Sequence, residues 1–412
     1  MIHLKTGEDV AAMRAAGRIN RSVHRTLGAM LAPGVRTRAL AEAASEVIRG
    51  AGGAPAFRAA TGFPADVCIS VNEEVGHGIP GDRVLRDGDV VKLDVGVSVD
   101  GMHTDAATTW VVGDAPTAIR RFVAATEAAL CAGLCAVRPG RHLSDVSAAI
   151  AATVRAQGFH IVRHAYGHGI GRDLHEDPQI PNFGPPGLGP RIRPGMALAI
   201  EPLTVFGAPQ TAVAPDGWTR VTRDGQPGAH VEHTVWVGPD GLEVLTGAEP
   251  AELWARLAGE QGQWRPACPA DDDAIVRLAK QEMDSVLLAA WGRPARPDEL
   301  LRVAEATTWV LSEPTGALGG FCTYRLSSHC LHLHTLVLDR RWHGTGTAQR
   351  VLETLRELAL GAGRDEMELC VQTTNARAQR FYEKLGFREI GRPTVNTRQL
   401  RLGLQPGVVH YA

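Results

Sequence analysis

The sequence predicts an α+β protein built as two domains, and three observations carry that expectation. At 412 residues the chain exceeds what one ordinary hydrophobic core supports. Up to Gly247, stretches of helix-period apolar spacing alternate with strand-like runs and a hairpin signal. Past Gly247 the β character stops, and a strand–turn–helix pattern restarts near Gln261.

The elements follow in order. Residues 7–32 place apolar side chains at helical spacing, with Thr6 as the expected cap. Val67–Val71 reads as a strand. Val90–Val97 and Ala106–Val112 flank Asp100-Gly101, the dipeptide of a tight hairpin. Helical spacing returns over 115–136 and over 143–157, where Ser144 is the expected cap. Met196–Phe206 and His230–Val237 are apolar runs of strand type. The stretch "GAEPAELWARLAGEQGQ" reads as helical and linking, which gives a first domain over 1–247, a linker over 248–260 and a second domain over 261–412. In the second, "WRPACPADDDAIVRLAKQEM" reads as strand, turn and capped helix. "HLHTLVLDRRWHGTGTAQRVLETLREL" is a strand, a Gly-rich turn and an amphipathic helix, and "MELCVQTTNARAQRFYEKLGF" is a strand and a helix stopped by Gly386.

Composition excludes several classes. With 44% apolar and 21% charged residues and a net charge of −2, the chain is globular and offers no dedicated surface for nucleic acid or an anionic membrane. No apolar run approaches the roughly 18 residues of a spanning helix. The stretch "MIHLKTGEDVAAMRAAGRI" lacks the apolar region of a signal peptide. Seven cysteines, odd in number, scattered and without a CxxC pair, point to reduced thiols and a cytoplasmic location.

Carboxylates carry the first chemistry. Asp94 interrupts "VVKLDVGV", where an unpaired charge is costly. With a two-residue hairpin loop, Asp105 faces Gly96, and the two aspartates are diagonal neighbours on one face, roughly 7–8 Å apart. A four-residue loop would put them directly opposite, and a three-residue loop would send them to opposite faces. "AYGHGIGRDLHEDP" adds His168 in a Gly-flanked loop and His175 beyond it. "MALAIEPLTV" and "AHVEHTVWV" place Glu201 and Glu232 inside apolar strands. Four carboxylates and one histidine make an oxygen-rich set that suits a pair of Mn²⁺, Fe²⁺, Co²⁺ or Zn²⁺ ions better than a structural zinc.

Residues 1–247 resemble a type I methionine aminopeptidase of the pita-bread fold. "NEEVGHGIP", "KLDVG…DGMHTDAATT", "YGHGIGRDLHEDPQIPNFG", "AIEPL" and "HVEHTV" match that family's motifs in order and spacing. The resemblance implies that Asp94, Asp105, His168, Glu201 and Glu232 bind two metal ions, with Asp105 and Glu232 bridging. It implies that Glu201 takes a proton from the attacking water and that His175 steadies the scissile amide. His77, between Gly76 and Gly78, would face the substrate side of the metals, and Phe63, Cys68 and Trp218 would wall the methionine pocket. Many relatives carry cysteine where this chain has Gly76. Peptide or nascent-protein N-termini are the implied substrates. Non-peptidase binding domains and X-Pro peptidases share the fold; the five retained ligands and the matches around His77 and His175 favour methionine release.

A Gly-rich turn carries the second chemistry. Gly344 and Gly346 let backbone N–H groups approach an anion at a helix N-terminus, where Arg341 and Arg350 add charge; a lone GxG is also an ordinary turn. With "NARAQRFYEKLGF", the pattern resembles the GNAT N-acetyltransferase family, whose fold is a mixed-sheet α/β domain. That resemblance implies acetyl-CoA as cofactor. Its pyrophosphate would lie on amides of Arg341, Gly344, Thr345, Gly346 and Thr347, its pantetheine along Leu336, Val337 and Leu338, with Asn375 touching it. Tyr382 would protonate the departing thiolate. His343 stands where a basic Arg or Lys is commoner. His332 and His334, on the strand beside the cofactor, offer a proton relay or are ordinary strand histidines. The acceptor amine is open: it is the newly exposed N-terminus, an unrelated small-molecule amine, or none, the half then serving as a CoA-sensing or docking module.

Overall fold

The computed structural model describes residues 2–239, 241–247, 257, 262–294, 296, 301, 303, 306–327, 330–362 and 364–404. The chain divides into two compact units, Met1–Gly247 and Ala248–Leu404. Of the expected linker only Leu257 is among the described residues, so its helical reading lies outside them.

The first unit is built on a nine-stranded sheet. Its path runs Ala54–Pro55, Val90–Val99, Met102–Val111, Glu232–Gly238, Ala197–Ile200, Tyr166–Gly169 and Glu176–Pro181. Cys68–Val71 pairs beside Val90–Val99, and Gly241–Val244 beside Glu232–Gly238. Two helix pairs cover it. Gly7–Met30 and Thr37–Gly50 bury Ile19, Val23, Leu27, Leu40, Ala44 and Ile48 against Leu93, Val95 and Val97. Thr117–Ala136 and Leu143–Ala156 bury Leu130, Leu134, Val146 and Ile150 against Leu198, Ile200, Val235 and Val237. Side chains alternate along a strand. With Leu93, Val95 and Val97 committed to the helices, Asp94 must point to the other face. The same alternation turns Glu201 away from the helix pair that holds Leu198 and Ile200.

Several expectations are corrected here. The helix Thr37–Gly50 went unread, although Leu40, Ala44 and Ile48 recur every fourth residue. Thr6 does cap the first helix, accepting from the Asp9 N–H. Ser144 does not cap its helix. The Asp145 carboxylate accepts from the His142 N–H at 3.1 Å, and the Ser144 hydroxyl accepts from Leu188 N–H at 2.7 Å. Met196–Phe206 is two strands, Ala197–Ile200 and Leu203–Val205, because Pro202 has no N–H to continue a ladder. His230–Val237 is likewise broken at Val231, into Gly228–His230 and Glu232–Gly238.

The second unit is a seven-stranded sheet in the order Gln263–Pro266, Thr307–Ser312, Leu318–Leu326, Leu331–Leu338, Glu366–Gln372, Thr397–Gly403, Arg388–Thr394. All neighbours are antiparallel except Leu331–Leu338 with Glu366–Gln372, which the helix Thr347–Gly361 joins as a crossover. That parallel pairing covers only Leu331↔Met367 to Leu333↔Leu369; beyond it the two strands part. At the same level His334 has no partner on Leu318–Leu326, since Thr335 faces Thr323 and Leu333 faces Tyr324.

Candidate functional site

The hairpin settles the first geometric question. Val99 faces Met102 across a two-residue turn, with Asp100 at φ 49° and Gly101 at φ 74°. Both central residues are left-handed, the backbone that Asp-Gly tolerates. Gly96 therefore faces Asp105, Asp94 faces Ala107, and the two acids share a face. Thr234 ties Asp105 to the neighbouring strand: the Asp105 N–H donates to the Thr234 hydroxyl at 2.8 Å, and that hydroxyl donates to the Asp105 carbonyl at 2.7 Å.

Glu201 sits in the break between Ala197–Ile200 and Leu203–Val205 rather than inside a strand, whereas Glu232 opens the strand Glu232–Gly238, where it faces Ala107. His233 faces Ile200 in the large sheet, while Leu203 faces His230 in a three-stranded sheet completed by His160–Ile161. Both chains thus leave one sheet for the other at the same level, and Glu201 and Glu232 occupy the fork. His168 also departs from expectation. It lies on the strand Tyr166–Gly169, facing Gln179 and Ala199, not in a loop. A Cβ at Gly167 would meet the Ala199 carbonyl and one at Gly169 the Asp177 carbonyl, so the flanking glycines serve close strand approach. The His168 Nδ1–H donates to the Gly169 carbonyl at 2.9 Å, leaving Nε2 3.7 Å from Glu201 Oε1.

These groups line one cavity of about 700 Å³, together with Phe63, Cys68, His77, His175, Trp218 and His230. His175 packs edge-on to His168, ring centres 4.4 Å apart. His77 has a left-handed backbone, φ 54°, and the Gly78 beside it presses so close to Ile69 and Ser70 that a Cβ there would meet backbone atoms. Gly76 ends the strand Glu74–Gly76, and a Cβ there would lie 3.6 Å from a Leu203 methyl, so the position carries no steric demand for glycine. Phe63 and Trp218 meet edge-to-face at 5.4 Å, with Phe57 edge-on to Phe63 behind at 6.4 Å, forming an apolar end wall. His230 was missed in the sequence. Its signal was a histidine two residues before Glu232 in "AHVEHT".

Electrostatics identify what the cavity is built to hold. Burial lifts the Asp94 carboxyl to about 6 and the Glu201 carboxyl to about 8. Asp105 and Glu232 are raised well above the carboxylate range, first by burial and then by a neighbouring carboxylate, Asp94 for Asp105 and Asp105 for Glu232. Asp94 Oδ1, Asp105 Oδ1 and Glu232 Oε1 are buried with no hydrogen-bond partner. Among the described residues none of the four acids is ion-paired to a lysine or arginine. Such crowding stands only with a compensating positive charge, and hard oxygen donors with imidazole fit divalent ions. In this cavity two three-donor groups meet the spacing an ion needs, Asp105 with His168 and Glu232, and Glu201 with His230 and Glu232.

The second unit carries a smaller cleft of about 120 Å³ where the parallel strands part. It brings together Leu336, Asn375 and Tyr382, with His334 and Cys370. Val337, Leu338, Arg341 and Gly344–Thr347 lie outside that wall. Gly344 and Gly346 are left-handed, φ 79° and 80°, and Gly346 caps the helix Thr347–Gly361. Arg350 reaches back to the Thr345 carbonyl and the Thr347 hydroxyl. Arg341 is engaged elsewhere, with Glu313 and Asp339, both at 2.9 Å. His343 Nε2 meets the Leu338 carbonyl at 3.0 Å, and its Nδ1 accepts from Arg377 at 3.0 Å. The Asn375 side chain caps the helix Ala376–Lys384, accepting from the Ala378 N–H. Burial pushes the Tyr382 hydroxyl above its ordinary value, which keeps it protonated.

A helix-covered sheet whose strand ends bring four uncompensated acids and several imidazoles into one apolar-ended cavity defines a metal-dependent hydrolase. The model of metallopeptidase family M24 matches residues 11–239, more than half of the chain, and the chain belongs to that family. Similar curated proteins include methionine aminopeptidase 1 of Bacillus subtilis, 44% identical over 246 residues, which span 60% of this chain and 99% of that protein. Methionine aminopeptidase 1 of Mycobacterium tuberculosis is 43% identical over 249 residues, 59% of this chain and 94% of the other. The crystal structure of methionine aminopeptidase from Thermotoga maritima has a TM-score of 0.59 at 40% identity, covering 60% of this chain and 99% of that one. The fold of the first unit is thus the pita-bread fold of these enzymes. Residues 274–387 match the acetyltransferase (GNAT) family model, so a GNAT domain follows it.

Proposed function

We propose that the first domain removes N-terminal methionine from peptides and nascent proteins, and that the second transfers acetyl from acetyl-CoA to an amine. The observation that carries the first reading is the convergence of partnerless oxygens of Asp94, Asp105 and Glu232 with His168 and Glu201 beside the Phe63–Trp218 wall. Asp94, Asp105, His168, Glu201 and Glu232 would hold two divalent cations, of Mn, Fe, Co or Zn. Bound there, the cations would supply the charge that makes a water nucleophilic near neutral pH.

The chain's own groups do the rest. Glu201, in the cavity beside Asp94, Asp105 and Glu232, would take the proton of the attacking water. The ordinary value of His175 is lowered by burial and then by His103, so it is neutral and donates one N–H to the scissile amide. His77, held at about 4 by burial and then by His230, is a neutral donor on the substrate side. The wall of Phe63, Cys68 and Trp218 accepts an unbranched thioether. In the second domain, the left-handed Gly344 and Gly346 open the loop from Arg341 through Thr347 to the pyrophosphate. The edge Leu336, Val337 and Leu338, freed where the strands part, suits pantetheine, and Asn375 and Tyr382 border the cleft.

The domain limits we propose are 1–247 and 261–412, with 248–260 linking them. Among the described residues no helix is long and apolar enough to cross a membrane, and none of the seven cysteines is in a disulfide. Both support a cytoplasmic protein acting on soluble N-termini. The new α-amine left by the first reaction is a chemically suitable acceptor for the second, since it titrates near 7.7–8.0. The test is a mass measurement on Met-Ala-Ser peptides with each of the four metals, with and without acetyl-CoA. Loss of methionine followed by gain of one acetyl group is expected. No methionine release with any metal overturns the peptidase reading, and release without acetylation overturns the coupling.

A further inference from the structure

One donor in the cavity belongs neither to the five expected ligands nor to the apolar wall. His230 ends the strand Gly228–His230 and is 4% exposed. Its backbone is locked: the N–H donates to Thr109 Oγ1 at 2.9 Å, and the Thr109 hydroxyl donates to the His230 carbonyl at 2.6 Å. Its ring is not, because neither Nδ1 nor Nε2 has a hydrogen-bond partner. Nε2 stands 3.6 Å from Glu201 Oε2 and 3.7 Å from Glu232 Oε2.

Those separations are diagnostic. They are too long for hydrogen bonds, whose heavy atoms lie about 2.7–3.2 Å apart. Two donors that each sit about 2.1 Å from one ion can stand up to about 4.2 Å apart. A buried imidazole left without any partner is costly, and native interiors rarely contain one. Glu201 repeats the pattern on its other side, where Oε1 lies 3.7 Å from His168 Nε2. The carboxylate therefore has one imidazole opposite each oxygen.

Building on the metal-centre reading above, we infer that His230 is a sixth ligand, giving the ion held between Glu201 and Glu232 a nitrogen donor. The centre then has one imidazole on each side of Glu201. Imidazole favours Zn²⁺, Fe²⁺ and Co²⁺ over the harder Mn²⁺, so His230 biases the metal the enzyme retains.

The experiment uses the full-length chain, stripped with chelator and reloaded with Zn²⁺ or Mn²⁺ alone. X-ray absorption at the zinc edge counts imidazoles per ion in wild type and in His230→Gln, whose amide has similar reach. Wild type with two zincs is expected to average about one imidazole per zinc, and the variant about half that. His230→Gln is also expected to weaken Zn²⁺ binding by at least roughly tenfold, the smaller loss typical of even outer-shell partners, while Mn²⁺ affinity changes far less. Two bound zincs with equal imidazole counts and equal Zn²⁺ affinity in both proteins overturn the inference and leave the metal-centre reading standing. No zinc bound by wild type overturns both. Should the variant fail to fold, the wild-type count decides alone: one-half imidazole per zinc excludes His230.

Discussion

Removing the metal should make stability fall with rising pH in a way that Glu201 reports. Burial lifts its carboxyl from 4.5 to about 8 in the folded protein. A carboxyl whose folded value is raised costs nothing below its unfolded value, and its penalty grows as pH rises toward the folded one. Between pH 6.5 and 8 that growth is about 1.6 kcal/mol for Glu201 alone, from 1.36 kcal/mol per unit. The buried His24, His77, His168 and His233 do not confuse this window, since burial holds all four at about 4 or below and they are neutral above pH 6.5. Lys92 does act there. Burial pushes it to about 7, so its own penalty shrinks as pH rises. Comparing wild type with Glu201→Gln cancels Lys92, which both share. The assay is thermal unfolding of the full chain after chelation, at pH 6.5 and 8. Relative to the variant, the metal-sensitive transition of wild type should drop by about 3–6 °C more, and added Mn²⁺ should abolish the difference. Equal pH slopes in the two metal-free proteins would refute the claim that the acids are held together by an ion's charge.

Other expectations follow from single contacts. Glu201→Gln should lower kcat for methionine release by at least roughly a hundredfold, the range of a lost general base, measured on a Met-Ala-Ser peptide. Trp218→Ala opens the apolar end wall and should raise KM for methionine peptides while leaving metal stoichiometry at wild-type level, as elemental analysis can check. Gly78→Ala forces a Cβ into Ile69 and Ser70, so stability should fall by about 1–3 kcal/mol and activity with it; denaturant melts read the first and peptide assays the second. Tyr382→Phe should slow acetyl transfer yet keep the thermal shift produced by acetyl-CoA, separating turnover from binding.

Local chemistry made part of this legible. Asp100-Gly101 favours a two-residue turn, and the register that turn gives puts Asp94 and Asp105 on one face. The apolar runs around Glu201 and Glu232 showed that acids lie in the core, but not that the ladder stops at Pro202 and Val231. Strand breaks depend on which sheet each half joins, and pairing between distant segments leaves little local trace. The glycines around His168 suggested a loop, because close approach of a neighbouring strand has the same signature as a flexible turn. The Phe63–Trp218 wall joins residues far apart in sequence, so only family resemblance pointed to it. His230 carries no local signal beyond its place two residues before Glu232, and only the strand break at Val231 brings its ring to the acids.

The fork in the strands has a mechanical consequence. Ile200 and His233 are laced into one ladder, Leu203 and His230 into another, and only two residues separate the two anchorages on each segment. There is no slack between them. Any sliding of the small sheet past the large one must shift Glu201 and Glu232 against Asp94 and Asp105, so the cation grip proposed for them would gauge how well the two sheets stay aligned. Under gentle denaturation, cations should escape before either ladder unzips.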